Sequence, residues 1–224
     1  MFDRISKRYD LLNHLLSFGQ DFLWRKKVAI LMKELPHSTV LDLACGTCDL
    51  ILIALKHNSD IELGMGVDLS GKMLSIGQRK VRSKSLSNQI ALVKGDGMSL
   101  PIAAGIFDFA MISFGIRNMP EPDRALAELY RALKPGGSLA VLEFSIPSNG
   151  IIRSVYLFYF RRLLPWIGGL ISGDRGAYTY LNKTVETFYT QESFCSMMTK
   201  AGFSDVRTVR LSFGVAAIYL GLKR

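Results

Sequence analysis

The chain of 224 residues holds only three cysteines and three histidines, and each scarcity excludes a class of protein. Cys45, Cys48 and Cys195 give an odd count with no framework spacing, which excludes a disulfide-stapled fold and predicts free thiols in a reducing compartment. His14, His37 and His57 show no ligand spacing, so no metal centre is expected. No apolar run is long enough and free enough of charge to cross a bilayer: the densest, residues 151–167, is broken by Arg153, Arg161, Arg162 and Pro165. Asp3, Arg4, Lys7, Arg8 and Asp10 interrupt the first residues, against a signal-peptide core. Repeats and linkers are missing too, which predicts one domain over residues 1–224.

Acidic residues are also few. Nineteen Asp and Glu stand against 28 Lys and Arg, a net charge of +9 that favours an anionic partner such as nucleic acid or a phospholipid surface. No basic run is interleaved with aromatics in the manner of a nucleic-acid module. The nearest, Arg79-Lys80-Val81-Arg82-Ser83-Lys84, reads as the solvated end of a helix.

The most informative stretch is residues 39–49. Val40, Leu41, Leu43 and Ala44 have the density of a strand buried on both faces, Gly46 marks a tight bend, and Leu50, Ile51, Ile53, Ala54 and Leu55 begin a helix at once. About twenty residues on, a second strand over residues 63–67 ends in Asp68, the position of a carboxylate that accepts hydrogen bonds from ribose hydroxyls. The turn Ala44-x-Gly46-x-Cys48 lacks the glycine series that seats a pyrophosphate, which disfavours a dinucleotide and favours a nucleoside ligand such as S-adenosylmethionine. Cys45 and Cys48 have C-x-x-C spacing but lack the neighbours that tune a redox pair.

Periodicity predicts an N-terminal helical pair over residues 2–33, broken at Ser17-Phe18-Gly19 and placed to cover the pocket mouth as a lid. A helix capped by Ser70 follows, then strands over 90–96 and 107–114, a helix over 121–133 stopping at Lys134-Pro135-Gly136-Gly137, and a strand over 138–144. Such alternation means a parallel sheet with ligands beyond the carboxyl ends of its strands. Residues 147–190 break the pattern as a helical insertion, in which residues 151–167 are either a helix buried over the pocket or an interfacial helix touching lipid. A helix near 192–200 and strands over 204–211 and 215–222 close the chain.

Three stretches go beyond fold class. Arg8-Tyr9-Asp10-Leu11-Leu12-Asn13-His14-Leu15-Leu16-Ser17-Phe18-Gly19, Phe114-Gly115-Ile116-Arg117-Asn118, and the segment from Arg131 through Lys134-Pro135-Gly136-Gly137 to Ser145 together resemble the C-methyltransferases of ubiquinone and menaquinone biosynthesis, the demethylmenaquinone methyltransferase-like family, over almost the whole chain. The resemblance implies an α/β fold of the class I methyltransferase (Rossmann-like) kind. Its sheet would be seven-stranded and mostly parallel, with an antiparallel C-terminal strand. It implies S-adenosyl-L-methionine as cofactor, with Gly46 and Thr47 against its methionine part, Asp68 on the ribose, Asp96 and Gly97 at the adenine edge, and Ser113 beside the transferring methyl. The acceptor would be a demethylated prenyl quinol, benzoquinol or naphthoquinol. Two residues depart from the family pattern: Cys48 stands where glycine is usual and could crowd the cofactor, and Asp21 stands where histidine is usual.

Methylating a ring carbon requires a phenolate that pushes electron density onto that carbon, so the site must favour an oxyanion. Arg117 is the expected stabiliser, with Asn118 and Tyr9 orienting the ring or a water; an ion pair at a strand end is the other role open to Arg117. The expected setting is cytoplasmic with peripheral contact to an anionic membrane, without nucleic acid, and with a homodimer as one option. The alternatives are a class I methyltransferase for another small hydrophobic acceptor and a nucleic-acid-binding protein on a degenerate methyltransferase fold.

Overall fold

The computed structural model describes residues 17–163 and 184–224 together with His14 and Asn182. Seven strands form one sheet in the order β3-β2-β1-β4-β5-β7-β6. They are β1 (Thr39–Leu43), β2 (Leu63–Asp68), β3 (Ile90–Lys94), β4 (Phe107–Ser113), β5 (Leu133–Phe144), β6 (Ser204–Leu211) and β7 (Ala216–Leu222). The first five run parallel, and β7 is antiparallel to both neighbours, as expected from a closing hairpin. The strand order reverses between β1 and β4, so the crevice for a ligand lies beyond their carboxyl ends.

Six helices flank the sheet among the described residues: α1 (Gln20–Met32), α2 (Asp49–His57), α3 (Gly71–Ser83), α4 (Pro122–Ala132), α5 (Gly150–Phe158) and α6 (Gln191–Lys200). Local chemistry sets their ends. The Ser70 hydroxyl accepts from the Met73 amide at 3.2 Å, the cap predicted for α3, and the Asn149 side chain accepts from Ile151 and Ile152 to start α5. The period-two alternation of β1 sends Val40 into the core under α1 and α2, and Leu41 and Leu43 into the core under α4 and α6.

Two expectations are corrected. The Lys134-Pro135-Gly136-Gly137 stretch is not only a stop: β5 already begins at Leu133, and its pairing shifts from Phe107↔Leu133 to Phe109↔Ser138, so the extra residues bulge out. That bulge is tied to the last strand's exit by Gly136 donating to the Lys223 carbonyl at 2.7 Å and Lys223 donating to Gly137 at 2.8 Å. The apolar stretch after residue 150 is also not one regular helix, because α5 passes into a π-helical turn over Tyr159–Leu163. Residues 164–167 lie outside the described residues, as do Tyr9 and Asn13 of the expected lid.

Candidate functional site

An open cleft lies beyond the carboxyl ends of β1, β2 and β4, where a sheet of this kind places its ligand. Five of the six predicted cofactor residues line it: Gly46, Asp68, Asp96, Gly97 and Ser113. The sixth, Thr47, faces elsewhere; it is 3% exposed and its hydroxyl accepts from Lys80 Nζ at 3.0 Å. Asp68 is oriented by the backbone, one oxygen accepting from the Gly46 amide and the other from Ser70, both at 2.8 Å. Asp96 accepts from Met98 N at 2.9 Å.

Backbone strain gathers around this cleft. Ala44, Gly46, Cys48 and Phe114 all have left-handed φ, of 51°, 55°, 73° and 54°. Gly46 has open space around it and is needed for its conformation; Gly97 and Gly115 are needed for closeness. A Cβ on Gly97 would meet Met119 at 2.9 Å, and one on Gly115 would meet Ala44 Cβ at 2.6 Å.

Cys48 does not crowd the cleft. It is fully buried, and its sulfur packs against α3, where a Cβ on Gly77 would fall 2.4 Å from Sγ. Cys45 nests in the same way against Gly66, 2.8 Å from the position a Cβ would take. The hydrogen bond with the Cys48 thiol and burial push the Cys45 thiol well up, so it stays protonated.

Asp42 is fully buried in β1 and accepts from Ile51 N at 3.2 Å, while its second oxygen has no partner. Burial pushes its pKa up to about 8. Asp21 is also buried, yet its carboxyl is held below its ordinary value by the Arg25 guanidinium, the Ser17 hydroxyl at 2.7 Å and His14 at 2.6 Å, which together outweigh its burial. His14 stacks on Phe22 at 3.9 Å, and Lys80 pairs with Asp49 at 2.6 Å. Asp21 thus anchors the start of α1.

The two described residues of the predicted catalytic set lie side by side in a 3-10 turn, Ile116–Asn118. Asn118 lines the cleft; its amide donates to the Phe114 carbonyl at 3.2 Å and its buried Oδ1 has no partner. Arg117 donates to the same carbonyl at 2.7 Å and pairs with Glu143 at 2.5 Å, with side-chain exposures of only 6% and 0%. Arg117 lies behind the cleft rather than in its lining, and its buried Nε has no partner. Burial lifts the Glu143 carboxyl although Arg117 opposes the shift.

Sequence reasoning missed the apolar walls, Leu69, Met73, Met98 and Met119, and the aromatic floor. Phe114 packs 4.5 Å from Phe144 and 6.0 Å from Trp24, with Arg25 and Arg117 over the rings of Phe114 and Phe144. The signal available was position: Leu69 and Met98 each directly follow a predicted cofactor residue.

An acid at the end of β2, apolar walls and an unpartnered buried amide oxygen fit a nucleoside carrying a short polar chain, without phosphate. Solved structures share the architecture. A SAM-dependent methyltransferase from Aquifex aeolicus superposes with a TM-score of 0.62 at 19% identity, covering 87% of this chain and 88% of that one. Another from Thermotoga maritima gives 0.67 at 23% identity, covering 100% and 98%. Among relatives, a demethylmenaquinone methyltransferase of Thermus thermophilus is 47% identical over 221 residues, 99% of both chains. A ubiquinone/menaquinone biosynthesis C-methyltransferase UbiE of Geotalea daltonii is 40% identical over 224 residues, 100% of this chain and 94% of its own. A family model described as ubiE/COQ5 methyltransferase family matches residues 1–223, so the chain belongs to that family and is a methyltransferase.

Proposed function

We propose that this methyltransferase uses S-adenosyl-L-methionine to methylate a ring carbon of a demethylated prenyl quinol, at the surface of the membrane in which that quinol resides. The observation that carries the reading is the similarity, over almost the full length, to proteins named for this chemistry, combined with a cleft lined by both Asp68 and Asn118.

When bound, S-adenosyl-L-methionine supplies an electrophilic methyl group. Asp68 takes the ribose hydroxyls, since the Gly46 and Ser70 amides hold its oxygens in place. Asp96 and Gly97 would hold the base edge, and Gly46 and Ser113, which line the same cleft, would hold the methionine end. Asn118 Oδ1 accepts a quinol hydroxyl, and Arg117 Nε offers a donor to the oxygen as it loses its proton. Glu143 balances the guanidinium and fixes its plane, so the donor is pre-positioned and needs no reorganisation. Tyr9, at the start of the chain, completes the ring's orientation in this reading.

The test is transfer of labelled methyl from S-adenosyl-L-methionine to short-tailed demethylated naphthoquinol and benzoquinol by the pure protein. The expected result is label on a ring carbon of at least one. Absence of transfer to both would overturn the reading.

A further inference from the structure

Among the described residues the two most exposed phenylalanines, Phe213 at 84% and Phe18 at 78%, both sit in left-handed backbone, with φ of 59° and 52°. A bulky residue in that region costs energy, and nothing in the core repays it at either position. The strain at Phe213 extends to Ser212, also left-handed at φ 45°, and this turn is pinned from below. Trp24 Nε1 donates to Ser212 Oγ at 2.9 Å, and Ser212 Oγ donates to Gln20 Oε1 at 3.1 Å.

These contacts join separate pieces of chain. Gln20 follows the Phe18 turn directly, Phe18 lies 5.9 Å from the Tyr159 ring, and Gly214 abuts Pro147 just before α5. On α5, Ile151, Val155 and Phe158 recur at helical spacing on the solvent side, 79%, 65% and 61% exposed. The helix buries Tyr156 and the π-helical turn after it buries Phe160, so the apolar residues of this segment face both ways. Arg153 and Arg162 on the same segment are exposed, whereas Arg161 is engaged by Glu186 at 2.7 Å. All three pieces gather after the carboxyl end of β5, the end of the sheet toward which the cleft opens.

We infer that Phe18, Phe213 and the Ile151/Val155/Phe158 stripe form one insertion surface for the headgroup and upper acyl region of an anionic bilayer. Rigidly presented apolar side chains beside cations supply both terms of interfacial binding, apolar burial and attraction to anionic headgroups. The surface rests on the proposed reading only for why the enzyme visits a membrane. Among the described residues no helix is long and apolar enough to cross a membrane, so attachment would come from this face.

The test is co-sedimentation of the full chain with vesicles of equal parts phosphatidylglycerol and phosphatidylcholine. Phe158→Gln with Phe213→Asn should lower the partition coefficient at least tenfold while methylation of a soluble short-tailed quinol is kept; asparagine tolerates left-handed backbone, so the turn survives. Arg153→Gln with Arg162→Gln should remove the preference over pure phosphatidylcholine. In Phe213→Trp, brominated acyl chains should quench fluorescence beyond the wild-type level. Unchanged partition of the first double variant, or no added quenching, would overturn the inference. So would conversion of a wild-type dimer to a monomer in light scattering with vesicle binding retained, since the face would then join two copies. If vesicles bind through Phe213 but no quinol is methylated, the proposed function fails and this surface stands; methylation without vesicle binding has the opposite meaning.

Discussion

Arg117 and Glu143 form an ion pair of 2.5 Å that is almost entirely removed from solvent, with the guanidinium 5.2 Å from the centre of the Phe144 ring. Removing one partner leaves the other charge buried, which costs about 3–5 kcal/mol. Arg117→Met alone should therefore destabilise the fold as well as lower turnover. Arg117→Met with Glu143→Gln should recover most of the stability in urea denaturation but leave turnover down by roughly a hundredfold, because the donor for the oxyanion is still missing. If the double variant regains turnover with its stability, Arg117 serves structure alone.

Asp68, proposed to hold the ribose, accepts from the Gly46 and Ser70 amides and lines the cleft. Asp68→Ala should weaken S-adenosyl-L-methionine binding by about 1.5–3 kcal/mol, the usual worth of hydrogen bonds to a charged group. Unchanged affinity in calorimetry would remove Asp68 from the ribose.

Asp42 makes stability depend on pH in a defined direction. Its pKa is raised from 3.8 to about 8 in the folded chain. The stability contributed by its proton is full below the unfolded value and is lost as pH rises through about 8. The neutral Asp42→Asn should therefore gain on the wild type as pH rises from about 4 to 8, by up to on the order of 5 kcal/mol, and level off above that. Urea midpoints that run parallel across this range would rule the effect out.

Cys48 and Gly77 are fitted to each other. Gly77→Ala should cost about 1–3 kcal/mol by overpacking, because its Cβ would fall 2.4 Å from Cys48 Sγ. Cys48→Gly, which suits the left-handed backbone at φ 73°, should make Gly77→Ala nearly neutral. A double-mutant cycle with coupling below about 0.5 kcal/mol would mean the helix shifts instead.

The alternation of strands and helices, the acid at the end of β2 and the Ser70 cap were legible in the sequence, because each depends on local periodicity or on a single residue type, whereas the reversed last strand was expected from the family resemblance. The cofactor residues came from the family resemblance, and five of those six line the cleft. Direction and pairing were not legible. Thr47 and Gly46 are neighbours, yet one faces Lys80 and the other the cleft, a difference made by left-handed turns that no periodicity records. Whether Arg117 stood free or paired depended on Glu143, 26 residues away on β5, and whether Cys48 obstructed the cleft depended on the absence of a side chain at Gly77. Only the tertiary structure, by bringing distant residues within a few ångströms, decided where those side chains point and which charges are satisfied.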